Sequence, residues 1–382
     1  MFRNQTTFVI GAGASAEFGL PVGWELAKRI KNRATCIVDG LGRLVRPVDD
    51  VVSRLVEQHY GHRDAKNALE ALRAINAGIR TAVSIDAFID RFKRNEDVVT
   101  LGKLLIALEI AVAERGSLMH PEQIVLQSFN SKSTTADDTW IGSFARILMD
   151  GVGDPSEVGQ NISIICFNYD RCIEHYLTEA ISAAYDIESD YAAEIVNTIE
   201  IIHPYGTLGS LPISRRLGRG ILQFGPKLED DVDWMDIADK NIKTYTQQQH
   251  DPAMVEKIHA AIADCNMLVF LGFGFNNQNL DLLRVSPIAK YGEIAARNIY
   301  STGYGIAQQV NTTIKRRILH LLWDTGIEHD ENRGRVQIEY GQTCAALFQT
   351  HNMNFSSFSR SFFLEEAEGS LRRVSVSSNS ED

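Results

Sequence analysis

One stretch near the start, Thr6-Thr7-Phe8-Val9-Ile10-Gly11-Ala12-Gly13-Ala14-Ser15-Ala16, constrains the fold more than any other. A β-prone apolar run breaks at Gly11 and Gly13, and Ala16 completes a G-x-G-x-x-A pattern. That is the pattern of a strand, turn and helix meeting a dinucleotide phosphate. The glycines permit a tight turn and bring backbone N–H groups to a pyrophosphate with no Cβ in the way, while the helix N-terminus adds partial positive charge. Ala16 lets helix and strand pack closely. Gly11, Ala12, Gly13 and Ser15 are therefore the candidate phosphate-side residues, although a plain strand-turn-helix would use the same pattern. A nicotinamide dehydrogenase needs an acidic residue about 20 positions further on to hold the ribose. Here that region reads Lys28-Arg29-Ile30-Lys31-Asn32-Arg33, and Phe18-Gly19-Leu20-Pro21 follows the motif at once.

The rest of the chain has to complete a sheet around that strand, and its 382 residues are enough for one large core or two modest ones. No apolar run approaches the roughly 20 residues of a membrane span. Met1-Phe2-Arg3-Asn4-Gln5 leads straight into the first strand without the features of a secretory leader, so a cytoplasmic location is expected. The five cysteines, Cys36, Cys166, Cys172, Cys265 and Cys344, include no C-x-x-C pair, and neither disulfides nor a metal site is expected. A formal net charge of −11 repels phosphate backbones, which argues against direct nucleic-acid binding. Arg215, Arg216, Arg219 and the Lys315-Arg316-Arg317 run are the local basic candidates, with solvated surface charge as their simpler reading.

Helical periods fill residues 24–33 and 50–115, with Arg43 to Pro47 read as a turn between them. In Ser84-Ile85-Asp86-Ala87-Phe88-Ile89-Asp90-Arg91-Phe92 the apolar residues fall at i, i+3, i+4 and i+7, and Ser84 is the expected N-cap. Residues 129–139 and 150–161 read as polar loops, so 24–160 is a mainly helical insertion. From 162 short aliphatic runs alternate with helices: Ile162 to Phe167, Thr198 to His203, Met267 to Leu271 and Arg297 to Ser301 as strands, and 171–184, 253–264, 277–285 and 306–322 as helices. Arg335 to Tyr340 adds a late strand and Thr343 to Phe348 a short helix. Alternation of this kind predicts an α/β fold, a Rossmann-like doubly wound parallel sheet with ligands outside the carboxyl ends of the strands. The domain is expected to span 1–350, followed by a 351–382 extension that is disordered at its end.

Four later strand ends carry polar or glycine-rich residues. Ile164-Ile165-Cys166-Phe167 delivers Asn168-Tyr169-Asp170, which as a bare pattern could also be a helix cap and an Asx-turn. Ile201-Ile202 runs into His203-Pro204-Tyr205-Gly206-Thr207. Met267 to Leu271 runs into Gly272-Phe273-Gly274-Phe275-Asn276, and Tyr300-Ser301-Thr302-Gly303 ends the next strand.

Gly-Ala-Gly-x-Ser with Gly-aliphatic-Pro close behind, followed in order by Asn-Tyr-Asp and by the 201–209 element, resembles the sirtuin-like proteins that bind NAD and cleave its nicotinamide–ribose bond. Ser-Ile-Asp-x-Phe at 84–88 is also similar to bacterial members of the defence type. The resemblance spans residues 6 to about 310 and implies a zinc-independent NAD glycohydrolase, since the four-cysteine zinc module of protein-deacylating sirtuins is missing. It implies that Asn168 positions water and ribose, and that Asp170, Tyr205, Gly272, Phe273 and Thr302 contact NAD. The family's catalytic histidine falls where this chain has Tyr205. His203, two positions earlier and on the same strand face by the two-residue period, is the expected base. The resemblance further implies an NAD-depleting effector of anti-phage defence, assembled as a homo-oligomer and with a HerA-like ATPase or another defence-system partner. A non-catalytic sensor of NAD or an ADP-ribose derivative, and an ADP-ribosyltransferase, are the alternatives.

Overall fold

The computed structural model describes residues 1–82, 84–128, 134–213, 221–245, 247, 251–285, 298–322 and 334–356. Arg215, Arg216 and Arg219, the first part of the 129–139 loop, Arg297 and the tail beyond 356 lie outside the described residues.

Six parallel strands form the central sheet: β1 (Thr6–Ile10), β4 (Ile162–Cys166), β5 (Glu200–Ile202), β6 (Met267–Leu271), β7 (Asn298–Gly303) and β8 (Val336–Tyr340), in spatial order β5-β4-β1-β6-β7-β8. Counted within this sheet alone, the order is 3-2-1-4-5-6, the doubly wound arrangement whose switch point lies between strands 1 and 4. The fold class is thus the α/β, Rossmann-like class that the alternation of strands and helices predicts. Ile10 pairs with Cys166 on one side and Leu271 on the other, so β1, β4 and β6 end level and release Gly11, Phe167 and Gly272 at one edge.

Residues of β1, β4 and β6 are buried on both faces, which is why they read as short, mainly apolar runs. Val9, Ile165 and Phe270 belong to one core with Leu104, Leu105 and Leu108 of the helix Glu96–Gly116. Phe8, Ile164 and Val269 belong to the other, with Trp140 and Phe144 of the helix Trp140–Met149 and Phe348 of the helix Cys344–Ser356. The insertion therefore supplies covering layers to both faces of the sheet.

The structure corrects several sequence expectations. Residues 43–47 are not a turn: β3 (Leu44–Pro47) pairs antiparallel with β2 (Cys36–Val38). The turn lies between them, where the Asp39 carboxylate accepts from the Leu41 and Arg43 amides and Gly42 adopts φ +76°. The late helix runs from Cys344 through Ser356, with His351 and Phe355 buried, so ordered structure continues past the expected boundary at 350. Helices at Ser189–Thr198 and Trp234–Asn241 complete the layers without having been predicted, and Trp140–Met149 adds one inside the helical insertion.

Candidate functional site

At the switch point three glycines meet backbone to backbone. A Cβ on Gly11 would lie 2.7 Å from the Gly272 carbonyl oxygen, one on Gly13 2.8 Å from the Gly272 Cα, and one on Gly272 2.0 Å from the Ala14 nitrogen. The Gly11 and Gly13 amides donate to the Leu271 and Gly272 carbonyls, at 2.9 and 3.0 Å. Both glycines thus join the β1 turn to the β6 turn, and their amides are committed to that joint rather than turned toward a ligand. The close packing expected of Ala16 is made instead by Gly11, Gly13 and the fully buried Ala14. Thr302, at the end of β7, accepts the Gly272 amide on Oγ1 at 2.8 Å and fixes the second turn, as a left-handed glycine at φ +54° requires.

The end of β4 locks onto this joint. Asn168 Nδ2 donates to the Gly11 carbonyl (3.1 Å) and to Ser15 Oγ (2.8 Å), and Ser15 Oγ donates to Asp170 Oδ2 (2.8 Å). Asp170 Oδ1 accepts the Cys172 amide at 3.3 Å, and burial pushes its carboxyl above the usual range against these bonds. Asn168 and Ser15 are 7% and 5% exposed, so Asn168 is not the solvent-facing strand-end residue that its position predicts. Beneath it the buried Arg171 guanidinium makes a two-pronged pair with Glu114 and donates to the Leu222 and Gln223 carbonyls. That pair ties the insertion to the end of β4, and a partnerless charge at such depth would be costly.

Above the joint lies a cavity of about 710 Å³, within the range of small-molecule and cofactor sites. Gly11, Ala12, Gly13, Ser15, Asn168, Asp170, Tyr205, Gly272, Phe273 and Thr302 all line it, which brings together ten of the eleven sequence-selected residues. One wall is aromatic: the Phe167 ring sits 5.8 Å from Tyr205 and 5.5 Å from Phe273, and the Tyr169 ring 6.2 Å from Tyr205. The Tyr205 hydroxyl donates to Asn279 Oδ1 at 2.8 Å, and the Tyr169 hydroxyl donates to Asp86 Oδ1. Burial pushes both phenols above their ordinary range. Glu17, on another wall, accepts amides from Trp140, Cys344 and Ala345; burial raises its carboxyl while those bonds pull it back. Tyr304 and Gly305 lie on the cavity lining after β7.

His203 is the eleventh residue, and it is elsewhere. β5 stops at Ile202 and Pro204 follows, so the chain leaves the sheet in a turn closed by the Gly206 amide donating to the His203 carbonyl. The two-residue strand period no longer holds there, and His203 and Tyr205 diverge. Tyr205 reaches the large cavity, whereas His203 lines a second one of about 400 Å³ on the far side of the Asn168 backbone. Its Nδ1 donates to the Asn168 carbonyl (3.1 Å) and its Nε2 to Glu174 Oε1 (2.8 Å). With an acceptor at each nitrogen the ring is held doubly protonated. Burial opposes that charge, but the Glu174 carboxylate and the neighbouring Cys166 sulfur together outweigh burial and keep His203 well above its usual range. Burial likewise pushes Glu174 up, and His203, with a backbone amide and Arg171, more than reverses it. An imidazolium outside the cavity cannot serve as its base.

Asp86, Tyr169, Asn279 and Glu17 also line the cavity; Asp86 and Tyr169 fall within the Ser-Ile-Asp-x-Phe and Asn-Tyr-Asp stretches, but none of the four was selected as a site residue. Asp86 had a signal: it directly follows the first buried residue of a well-capped helix, Ile85–Arg91, where Ser84 accepts the Ala87 amide. A first-turn acid reads simply as a favourable dipole partner, which hid its cavity-lining position. The five cysteines are free thiols, and among the described residues no three metal-ligating side chains gather into a site. Arg317, from the basic run, donates to the Phe275 carbonyl and to Asn277 Oδ1, holding the turn after β6. No protein-family model and no curated protein matches this chain.

Proposed function

We propose that the large cavity binds NAD and that the protein hydrolyses the nicotinamide–ribose bond, releasing nicotinamide and ADP-ribose. The observation that carries this reading is the placement of a sizeable, partly aromatic cavity at the switch point of a 3-2-1-4-5-6 sheet, where dinucleotides bind in this architecture. The polar Gly11–Asn168–Ser15–Asp170 network lies at one side of the cavity and the Phe167, Tyr205 and Phe273 rings at another. Such a division suits a ligand with hydroxyls to donate at one part and a flat aromatic end at another.

The chemistry asks for little. Nicotinamide leaves with the electron pair of its bond to C1′, the ribose passes through an oxocarbenium-like state, and water adds. Asn168 has its amide plane fixed by two bonds from Nδ2, which offers Oδ1 to a water or a ribose hydroxyl. An NAD-depleting role in anti-phage defence, acting as a homo-oligomer with a HerA-like ATPase or another defence-system partner, belongs to this same reading.

A second reading has its own support: a sensor that holds NAD or an ADP-ribose derivative intact. It is favoured by Tyr205 in the cavity with its hydroxyl committed to Asn279, and by His203 on the other side of the wall. Protein in molar excess over NAD, assayed for nicotinamide and for NAD retained on the protein, separates the two. Nicotinamide and ADP-ribose in equal amounts support the hydrolase; bound, intact NAD supports the sensor; and NAD neither bound nor cleaved overturns both.

A further inference from the structure

With His203 excluded, the cavity must draw its base from what lines it. Three carboxylates do so: Glu17, Asp86 and Asp170. Glu17 accepts three backbone amides at the start of two helices, and Asp170 is engaged on both oxygens, by Ser15 and by the Cys172 amide. Asp86 accepts the hydroxyl of Tyr169, the residue next to Asn168, and otherwise only its own backbone amide. The helices packed on the Asp86 helix, Gly23–Arg33 and Glu96–Gly116, line the cavity with Gly23, Leu26 and Ile110, none of which can carry a proton.

We propose that Asp86 is the catalytic carboxylate of the cavity, taking the proton of the attacking water while its charge faces the developing ribose cation. The proposal rests on the hydrolase reading above. The step balances without a further reactant. The C1′–N bond breaks and its electron pair leaves with nicotinamide, which departs neutral. A water oxygen bonds C1′, and its proton passes to the Asp86 carboxylate, which returns it to solvent between turnovers. Tyr169 would orient the carboxylate through its donated hydrogen bond and tie it to the segment that carries Asn168.

The titratable groups around Asp86 agree with this assignment. Burial pushes its carboxyl up to about 6, with the Tyr169 hydrogen bond pulling the other way. Tyr205 and Asp90 lie close by, Asp170 and Glu17 line the same cavity, and burial holds the Tyr169 and Tyr205 phenols protonated at neutral pH. A carboxylate titrating near 6 is ionised at pH 7 and still basic enough to accept a proton in the transition state.

The test follows nicotinamide release from NAD by the full chain across pH, together with NAD binding by calorimetry, for wild type, Asp86→Asn and Tyr169→Phe. Wild-type kcat should fall as pH drops through about 6. Asp86→Asn should lower kcat by about 100-fold or more and keep NAD affinity within about threefold, the effect of removing a general base. Tyr169→Phe should move the acid limb to higher pH, because the hydroxyl it removes lowers the Asp86 pKa. A merely structural Asp86 would leave that limb in place, so Tyr169→Phe decides the matter even if Asp86→Asn does not fold. Wild type that cleaves NAD, with Asp86→Asn within about threefold of it or with an acid limb unmoved in Tyr169→Phe, overturns the Asp86 assignment alone. Wild type that binds NAD without cleaving it overturns the hydrolase reading and this role together.

Discussion

Two carboxylate pairs stand on opposite sides of the Asn168–Tyr169 segment, and they are built from similar parts to opposite effect. On the cavity side Asp86 meets the neutral Tyr169 hydroxyl, and burial lifts its carboxyl to about 6. Behind the segment Glu174 meets the His203 ring, and the imidazolium's charge and hydrogen bond, with a backbone amide and Arg171, together override burial and lower its pKa. A hydroxyl donates one hydrogen bond, which offsets only part of a desolvation penalty; a cation supplies charge as well. The pair with the cation holds the fold in place, and the pair without it keeps a proton acceptor near neutrality. The sequence offered the histidine as the chemical residue, and the structure places that histidine in the supporting pair.

The largest expected effect on stability comes from breaking the supporting pair. Glu174→Gln should destabilise the protein by about 3 kcal/mol, the low end for a broken buried pair, because the Glu174 side chain keeps 23% of its surface exposed. Urea unfolding at neutral pH measures it, and a loss near zero would mean that the pair contributes nothing. Its pH dependence carries a definite sign. The folded pKa of His203 is raised, so its contribution is full below the usual 6.5 and fades as pH rises through the raised value. The folded pKa of Glu174 is lowered, so its contribution is present above the usual 4.5 and fades as pH falls through the lowered value. The stability difference between wild type and Glu174→Gln should therefore be flat in mid-range and shrink at both ends.

Asp86 should behave the other way. Its folded pKa lies above the usual 3.8, so the folded state binds the extra proton and stability declines as pH rises from about 4 to about 6. Asp86→Asn removes that cost and should stabilise the protein at pH 8 by roughly 2 kcal/mol, with the gain vanishing toward pH 4. Unfolding curves at the two pH values check it. A variant less stable than wild type at pH 8 would place Asp86 among the supporting residues. A site that gains stability when its charge is removed is one arranged for chemistry at some expense to the fold.

Tyr205→Phe is the smallest perturbation. It removes the hydroxyl that donates to Asn279 and should cost about 1 kcal/mol, leaving the acid limb of any turnover where it was. A shifted limb would make the phenol part of the proton path and blur the contrast between the two pairs.

Much of this was legible in the chain, for identifiable reasons. β1, β4 and β6 are five-residue, mainly apolar runs buried on both faces and ended by glycine or by Phe167-Asn168, so their type, direction and shared carboxyl edge could be read from composition and punctuation. Eight cavity residues followed from those three strand ends, and Tyr205 and Thr302 from the ends of β5 and β7. His203 did not, because the two-residue period applies only while the strand lasts, and β5 stops one residue short of it. The burial of Asn168 was not legible, because no local pattern announces that its amide will be used to close the joint between Gly11 and Ser15. The hairpin at 36–47 was missed because both of its strands are short and largely solvent-facing, with little hydrophobic alternation to betray them.

The central claim, that the cavity at the switch point cleaves NAD with Asp86 as its base, is most directly tested by one single-turnover measurement. Wild-type and Asp86→Asn protein, each in molar excess over NAD at pH 8, are followed for nicotinamide. The account predicts release by wild type and a rate about 100-fold lower in the variant, with NAD bound by both. Equal rates in the two proteins, or NAD left intact by wild type, would contradict it.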